Sequence, residues 1–322
     1  MTPQKLMTSR VNTVFLIMLL TVAVQSVITL PTMAMEVISQ FVDLSFAEYY
    51  TGFVLPQLLY PIGTCVLALL ALKLIRIPAD RFVTFRPLKA DFIPWLGVFM
   101  GVSVVMNYLV TGLLWLLEQI GLPASGAFDS FDPQDFPQAV CYFVILAILP
   151  PVCEEVLCRA AGTGVLKNFN PWAAVFLSAY AFGMMHGTIQ QIPFAFALGI
   201  ILGMVYIKTG NLLYPILFHF VNNAWACVLT YLSVWAGESV LNWVGYGSDI
   251  LFLLFGIASL IWLLVKKQFT LKEIPHSLTA GQAFGAVIKA PTFWIFSGVY
   301  GGLTLIVWLS EILLNYFEIP GL

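Results

Sequence analysis

The sequence predicts an all-α fold, a polytopic bundle of about eight or nine transmembrane helices. Of the 322 residues, 60% are hydrophobic and only 9% are charged, whereas soluble globular proteins are about 45–50% apolar and about 25% charged. The apolar residues form continuous runs, unlike the alternating strands of outer-membrane barrels. At about 20 apolar residues per crossing, the chain has room for eight or nine spans. A soluble enzyme, a disordered scaffold and a nucleic-acid binder are excluded.

Nine apolar runs can be assigned as spans. The predicted spans are residues 13–35, 52–72, 92–117, 139–167, 171–188, 193–207, 212–235, 249–265 and 291–316. The first run follows Lys5 and Arg10 and exceeds the apolar core of a signal peptide, which is about 7–15 residues. We therefore expect it to be a retained span. The fourth run is interrupted by Pro150 and Pro151.

The basic residues predict the orientation. If the chain alternates across the membrane nine times, all 14 Lys and Arg fall on one side, and the opposite connections carry acidic residues only. The positive-inside rule then places the N-terminus in the cytoplasm and the C-terminus outside. Short loops favour a bacterial plasma membrane. Of the two longer connections, 121–138 is predicted to be an outer polar loop with aromatic anchors, with an interfacial segment on the outer surface as the alternative, and 268–289 is predicted to form a cytoplasmic surface helix and linker.

Ionisable residues within the spans divide the chain into three predicted segments. Such residues are expensive in a bilayer and are functional candidates by default. They concentrate between residues 154 and 223. We therefore predict N-terminal helices over 1–138, a catalytic helical core over 139–235 and C-terminal helices over 236–322. The five cysteines form no C-x-x-C motif and are expected to be buried thiols without disulfides.

The first group of candidate residues lies where the prolines interrupt the fourth span. A helix that starts near Pro151 places Glu154 and Glu155 in its first turn, where the helix dipole favours carboxylates. Glu155 and Arg159 are four residues apart on one helix face, so an ion pair is predicted. Glu154 points about 100° away from that pair. One carboxylate is expected to be clamped, and the other to be available for chemistry.

Two of the three histidines lie inside predicted spans. If the fourth and fifth spans are antiparallel, His186 reaches nearly the depth of Glu154. His219 and Asn223 share a face of the 212–235 span, and His219 lies about 10 Å nearer the basic side than His186. Tilt or a proline kink is required if all of these residues meet.

Together the residues form three motifs: Glu-Glu-x-x-x-Arg at 154–159, Phe-x-x-x-His at 182–186 and His-x-x-x-Asn at 219–223. In this order on successive membrane helices, the motifs resemble the CPBP (or Abi) family of CAAX proteases and bacteriocin-processing enzymes, which includes type II CAAX prenyl endopeptidases. The resemblance covers about residues 139–235. The chain departs from the family pattern at Cys158, where phenylalanine is common, and at Ala160, where glycine is usual; both bear on packing or substrate fit.

This resemblance implies a glutamate-dependent intramembrane endopeptidase that acts on a membrane-associated peptide or protein, in CAAX-type or leader-peptide processing. Glu154, aided by His186, would deprotonate a water molecule, and His219 and Asn223 would donate hydrogen bonds to the developing oxyanion. Amide hydrolysis needs both an activated nucleophile and such donors. The residues expected to orient the site are Glu155, Arg159 and Phe182. No cofactor is implied, and the expected partners are the substrate and the lipid bilayer, not nucleic acid.

Two alternatives are left open. A zinc-dependent endopeptidase could use Glu154, His186 and His219, since one carboxylate and two histidines form a plausible catalytic zinc set. A non-catalytic scaffold or a transporter could keep the same residues as interhelical hydrogen bonds, although the sequence has no internal repeat. The H-E-x-x-H and G-x-S-x-G motifs of other proteases do not occur.

The depth of His219 also predicts the side on which the site opens. Because His219 lies nearest the basic side, a cavity that joins the four catalytic candidates is expected to open towards the cytoplasm. A mouth that faces the acidic connection at 121–138 is the alternative.

Overall fold

A computed structural model of the protein describes residues 1–39, 49–122, 133–271 and 274–317. Within these ranges all regular structure is helical, and eight helices are long and apolar enough to cross a membrane. The prediction of a polytopic helical bundle is confirmed, and the protein is an integral, multi-pass membrane protein. Most of the predicted outer connection, 123–132, lies outside the described residues.

The helices of the described ranges are numbered here in chain order. They are α1 (Pro3–Ser39), α2 (Leu55–Leu74), α3 (Phe92–Gln119), α4 (Phe136–Leu166), α5 (Pro171–Met184), α6 (Gln191–Thr209), α7 (Leu213–Trp235), α8 (Glu238–Val265), α9 (Ala280–Val287) and α10 (Pro291–Phe317). Helix α4 contains two wider π-helical stretches, Val144–Ile148 and Val156–Thr163. Helices α5 and α9 fall short of a full span.

The fifth predicted span differs from the structure. Helix α5 has 14 residues, which at 1.5 Å per residue is about 21 Å, less than the roughly 20 residues a crossing needs. It stops because Gly187 adopts φ = 71°, a left-handed conformation that suits glycine. His186 therefore lies at the end of a short helix and not inside a full span.

The segments that carry the basic residues meet at one end of the bundle. Asn211, between α6 and α7, exchanges two hydrogen bonds with the backbone of Arg86, between α2 and α3. Asn170, after α4, donates to the carbonyl of Leu278, in the connection after α8. The N-terminus joins them, since Arg10 donates to the carbonyl of Ile75. We refer to this side as the basic end.

Lys167 packs against two aromatic rings at the basic end. Its ammonium lies over the rings of Phe82 and Tyr206, 5.9 and 5.4 Å from their centroids. Burial, with smaller contributions from the charges of Arg81 and Arg86, lowers the pKa of Lys167 below its usual value. The predicted surface helix within 268–289 is present as α9, whose first turn is closed by a capping box between Thr279 and Gln282.

Two pairs of helices pack closely through small residues. In the α5–α6 hairpin, a Cβ atom on Gly199 would lie 3.0 Å from the Cα atom of Ala179. Between α3 and α8, a Cβ atom on Gly256 would lie 2.8 Å from the Cα atom of Gly101. Such close backbone approach is typical of helix pairs in membranes. It holds α5 firmly against α6, and so fixes the helix that carries Phe182 and His186.

Candidate active site

The break in α4 is the first element of the site. Pro150 and Pro151 have no N–H, so the carbonyl of Leu146 has neither an α-helical nor a π-helical donor. The N–H of Leu149 donates to the carbonyl of Val144 and is not available to Leu146. Instead, Nδ2 of Asn223, on α7, donates to the Leu146 carbonyl at 2.9 Å. Helix α7 therefore supplies the hydrogen bond that the prolines remove, which ties the two helices together.

Glu155 lies at the centre of a buried polar cluster. Its side chain is fully buried, and Oε2 lies 2.8 Å from Nε of Arg159, as the four-residue spacing predicted. Its other oxygen, Oε1, lies 3.1 Å from Nδ1 of His219. A carboxylate ionised beside an arginine can only accept, so Nδ1 of His219 carries the hydrogen. The sequence did not predict this contact between His219 and Glu155.

Arg159 is the cation of this cluster and is also fully buried. Its Nη1 donates to Oγ of Ser178 at 3.1 Å, and Ser178 in turn donates to the carbonyl of Cys158 at 2.6 Å. The guanidinium lies 4.8 Å from the centroid of the Phe182 ring, a cation–π distance. Ser178 was missed by the sequence analysis, although it lies one turn before Phe182 on the same helix and is the polar residue of that face.

Phe182 contacts both histidines. Its ring centroid lies 4.9 Å from that of His186 and 5.6 Å from that of His219, edge to face in both cases. Nδ1 of His186 lies 2.7 Å from the carbonyl of Phe182. Because a carbonyl only accepts, Nδ1 of His186 carries a hydrogen, and in the neutral ring Nε2 presents a lone pair.

Glu154 and His186 line one cavity of about 450 Å³. Glu154 is half-buried, in contrast to the buried Glu155 next to it. The prediction that the two glutamates face different surroundings thus agrees with the structure. Phe182 forms part of the same wall.

His219 and Asn223 are not among the residues that line this cavity. His219 is turned to Glu155, and Asn223 to the carbonyl of Leu146. Asn223 also accepts from Asn222, which is bonded to Ser103 of α3. The structure thus forms two groups, a cavity pair and a buried cluster, in place of the single constellation of four residues that was expected.

The alternative metal site was Glu154, His186 and His219. In the part of the chain that the structure describes, no three His, Cys, Asp or Glu side chains are grouped to hold a metal ion. The reason is the placement of His219, whose Nδ1 is engaged by Glu155 and which does not line the cavity of Glu154 and His186. The three predicted ligands therefore do not form a ligand set in this arrangement.

The cavity residues that carry no charge were not predicted. Thr21 on α1 is hydrogen-bonded to Tyr300 on α10 at 2.7 Å, and both line the cavity together with Tyr60 of α2.

The predicted division of the chain at 138/139 and 235/236 stays a prediction. The cavity draws its walls from all three predicted segments.

Comparison with known proteins supports the family resemblance. Residues 136–225, which contain all three motifs, match the family model described as type II CAAX prenyl endopeptidase Rce1-like. The membrane-embedded CAAX protease MroQ of Staphylococcus aureus (strain USA300) is 23% identical over 228 residues, which are 64% of this chain and 90% of that protein. An uncharacterized 24.3 kDa protein of Escherichia coli is 26% identical over 134 residues, 39% of this chain and 59% of that protein. No solved structure is found to match.

These comparisons confirm the resemblance to the CAAX protease family that the three motifs indicated. They also support the prediction of a membrane endopeptidase. The matched region spans less than two thirds of the Escherichia coli protein, at 59% of its length.

Proposed function

We propose that this protein is a glutamate-dependent intramembrane endopeptidase that hydrolyses a peptide bond in a membrane-associated peptide or protein. One observation carries the proposal: Glu154 and His186 line the same cavity, whereas the neighbouring Glu155 is fully buried and paired with Arg159 and His219. A carboxylate and a histidine that line one cavity can together carry out general-base activation of water.

In this mechanism Glu154 accepts a proton from a water molecule in the cavity. His186 positions that water, because the lone pair on Nε2 can accept its second hydrogen while Nδ1 is held by the carbonyl of Phe182. The water oxygen bonds to the peptide carbonyl carbon, and the carbonyl oxygen takes the negative charge. Glu154 then returns the proton to the amide nitrogen as the C–N bond breaks, which releases an amine and a carboxylic acid.

His219 and Asn223 remain the proposed donors to the oxyanion. A neutral His219 uses its one N–H on Glu155, so donation from Nε2 requires the doubly protonated ring. Asn223 uses one amide hydrogen on Leu146 and retains a second. For both donors, substrate binding must shift Phe182 or the helix break so that the donors face the cavity.

Replacement of Glu154 by glutamine tests the proposal. We expect Glu154→Gln to fold in the membrane and to lose detectable cleavage of a peptide library, because the amide keeps the shape and cannot accept the proton. The matched control is Glu155→Gln, which we expect to lower the yield of folded protein, since it leaves Arg159 buried without its counter-ion. Cleavage by Glu154→Gln at near the wild-type rate would refute the mechanism. Loss of wild-type cleavage on addition of a chelator would instead favour the zinc alternative.

We further propose that the basic end faces the cytoplasm of a bacterial plasma membrane, with the N-terminus inside. The support is the meeting of the basic segments at one end of the bundle and the positive-inside rule. In a variant that lacks the five native cysteines, substitution of Lys5 by cysteine, followed by an impermeant thiol reagent on intact cells, is expected to give no labelling until the cells are opened. Labelling of intact cells would reverse the orientation.

A further inference from the structure

The cavity is built largely by helices outside the matched family region. Residues 136–225 contribute α4, α5 and the start of α6 to the cavity, whereas α1, α2 and α10 form the remaining walls. The polar residues of the whole lining indicate which chemical groups the cavity can bind.

Three glutamines stand out in the lining: Gln25 of α1, Gln57 of α2 and Gln191 at the start of α6. No hydrogen bond from their side chains is found within the ranges that the structure describes. Primary amides are costly among apolar membrane helices unless they are paired or wetted. Three of them around one cavity indicate a ligand with many donors and acceptors.

An extended peptide is a ligand of this kind. Each of its residues carries an N–H and a C=O that must be paired away from water, and each glutamine amide offers one acceptor and two donors. An isoprenoid chain has neither donors nor acceptors, and its presence in this cavity would leave the half-buried amide of Gln57 without a partner. The lining therefore favours peptide backbone over a prenyl group.

The glutamines also indicate the side from which the peptide arrives. Gln25 lies about 33 Å along α1 from Pro3, which is at the basic end, and Gln57 lies about 24 Å along α2 from Lys73. Gln191 begins α6, whose other end carries Lys208. All three thus lie towards the end of the bundle that is away from the basic loops. This placement favours the alternative mouth over the cytoplasmic opening that the depth of His219 suggested.

We propose that the substrate is an extended, non-lipidated peptide segment that reaches Glu154 from the face opposite the basic end and is held through its backbone by Gln25, Gln57 and Gln191. The inference rests on the proposed endopeptidase activity and specifies its substrate class.

The experiment uses the full-length protein in liposomes of one orientation, established from the accessibility of a tag on the N-terminus. One quenched-fluorescence peptide is made in two forms, with and without an isoprenoid thioether on a cysteine, and is supplied to one face at a time. The variants are Gln57→Leu and Gln191→Leu, and the matched control is Gln119→Leu, at the exposed end of α3 and outside the cavity.

We expect cleavage of the unmodified peptide when it is supplied to the face opposite the basic end. Each cavity variant should raise KM about tenfold, which corresponds to about 1.4 kcal/mol, with kcat little changed, and Gln119→Leu should match the wild type. Cleavage of the prenylated form alone, unchanged KM in both cavity variants, or cleavage only from the basic face would overturn this inference and leave the endopeptidase intact. Wild-type protein that cleaves neither form while its Glu154→Gln variant behaves identically would refute both proposals.

Discussion

The hydrogen bond between Asn223 and Leu146 leads to a prediction that separates two roles of one residue. Asn223 donates to a carbonyl that has lost its helical donors to Pro150 and Pro151. If this bond matters for the fold, Asn223→Ala should destabilise the protein. The loss should become smaller when an N–H is restored to the helix by Pro150→Ala.

The structure sets the size of the effect. Asn223→Ala leaves the Leu146 carbonyl without a partner inside the bundle, a change that typically costs about 1–3 kcal/mol. In the Pro150→Ala background, the N–H of residue 150 lies in position to bond the carbonyl of residue 146, four residues earlier. The cost of Asn223→Ala should then fall below about 1 kcal/mol, which gives a coupling energy of about 1–2 kcal/mol between the two positions.

The assay is reversible unfolding in mixed detergent micelles, followed by tryptophan fluorescence, for the wild type, both single variants and the double variant. Asn222→Ala in both backgrounds is the matched control. Its side chain is bonded to Ser103 and to the amide oxygen of Asn223, and not to α4, so its cost should be independent of the proline. An equal cost of Asn223→Ala in both backgrounds would refute the carbonyl-pairing argument. The kcat of the double variant then reports the separate role of Asn223 at the oxyanion, because restored helix bonding cannot replace that donor.

Two further predictions follow from buried contacts. Arg159→Leu should lower the unfolding free energy by about 3–5 kcal/mol, because it leaves Glu155 as an unpaired buried charge; a variant with wild-type detergent stability would contradict this. Gly256→Ala should destabilise the α3–α8 pair, because its Cβ would lie 2.8 Å from the Cα atom of Gly101. The control Gly245→Ala, on the same helix with no atom within 4 Å of its added Cβ, should be neutral or stabilising in the same unfolding assay.

The sequence predicted those parts of the site that depend on local helix geometry. The Glu155–Arg159 pair follows from a spacing of four residues, and the common depth of Glu154 and His186 follows from counting residues along two adjacent helices. In both cases the regular geometry of a single helix determines the result, through its residues per turn or its rise per residue. The fold class was equally accessible, because composition alone requires membrane helices.

The parts that failed depend on how separate helices lie against one another. His219 was expected to join Glu154 and His186, yet it contacts Glu155 instead, and the rings of both histidines pack against Phe182. The sequence does not show which side of α4 faces α7. Gln57 and Tyr300 carry no charge, so nothing in a count of ionisable residues marked them as cavity walls.

The short length of α5 has a consequence for the bilayer. A helix of about 21 Å that starts at the basic end stops well before the far side of a hydrocarbon layer about 30 Å thick. The turn that follows contains Thr188, Ile189 and Gln190, and a non-helical backbone at that depth is tolerated only where protein or water surrounds it. Lipid beside α5 is therefore expected to thin towards His186. The membrane itself would then form a depression through which water reaches a hydrolytic site without crossing lipid.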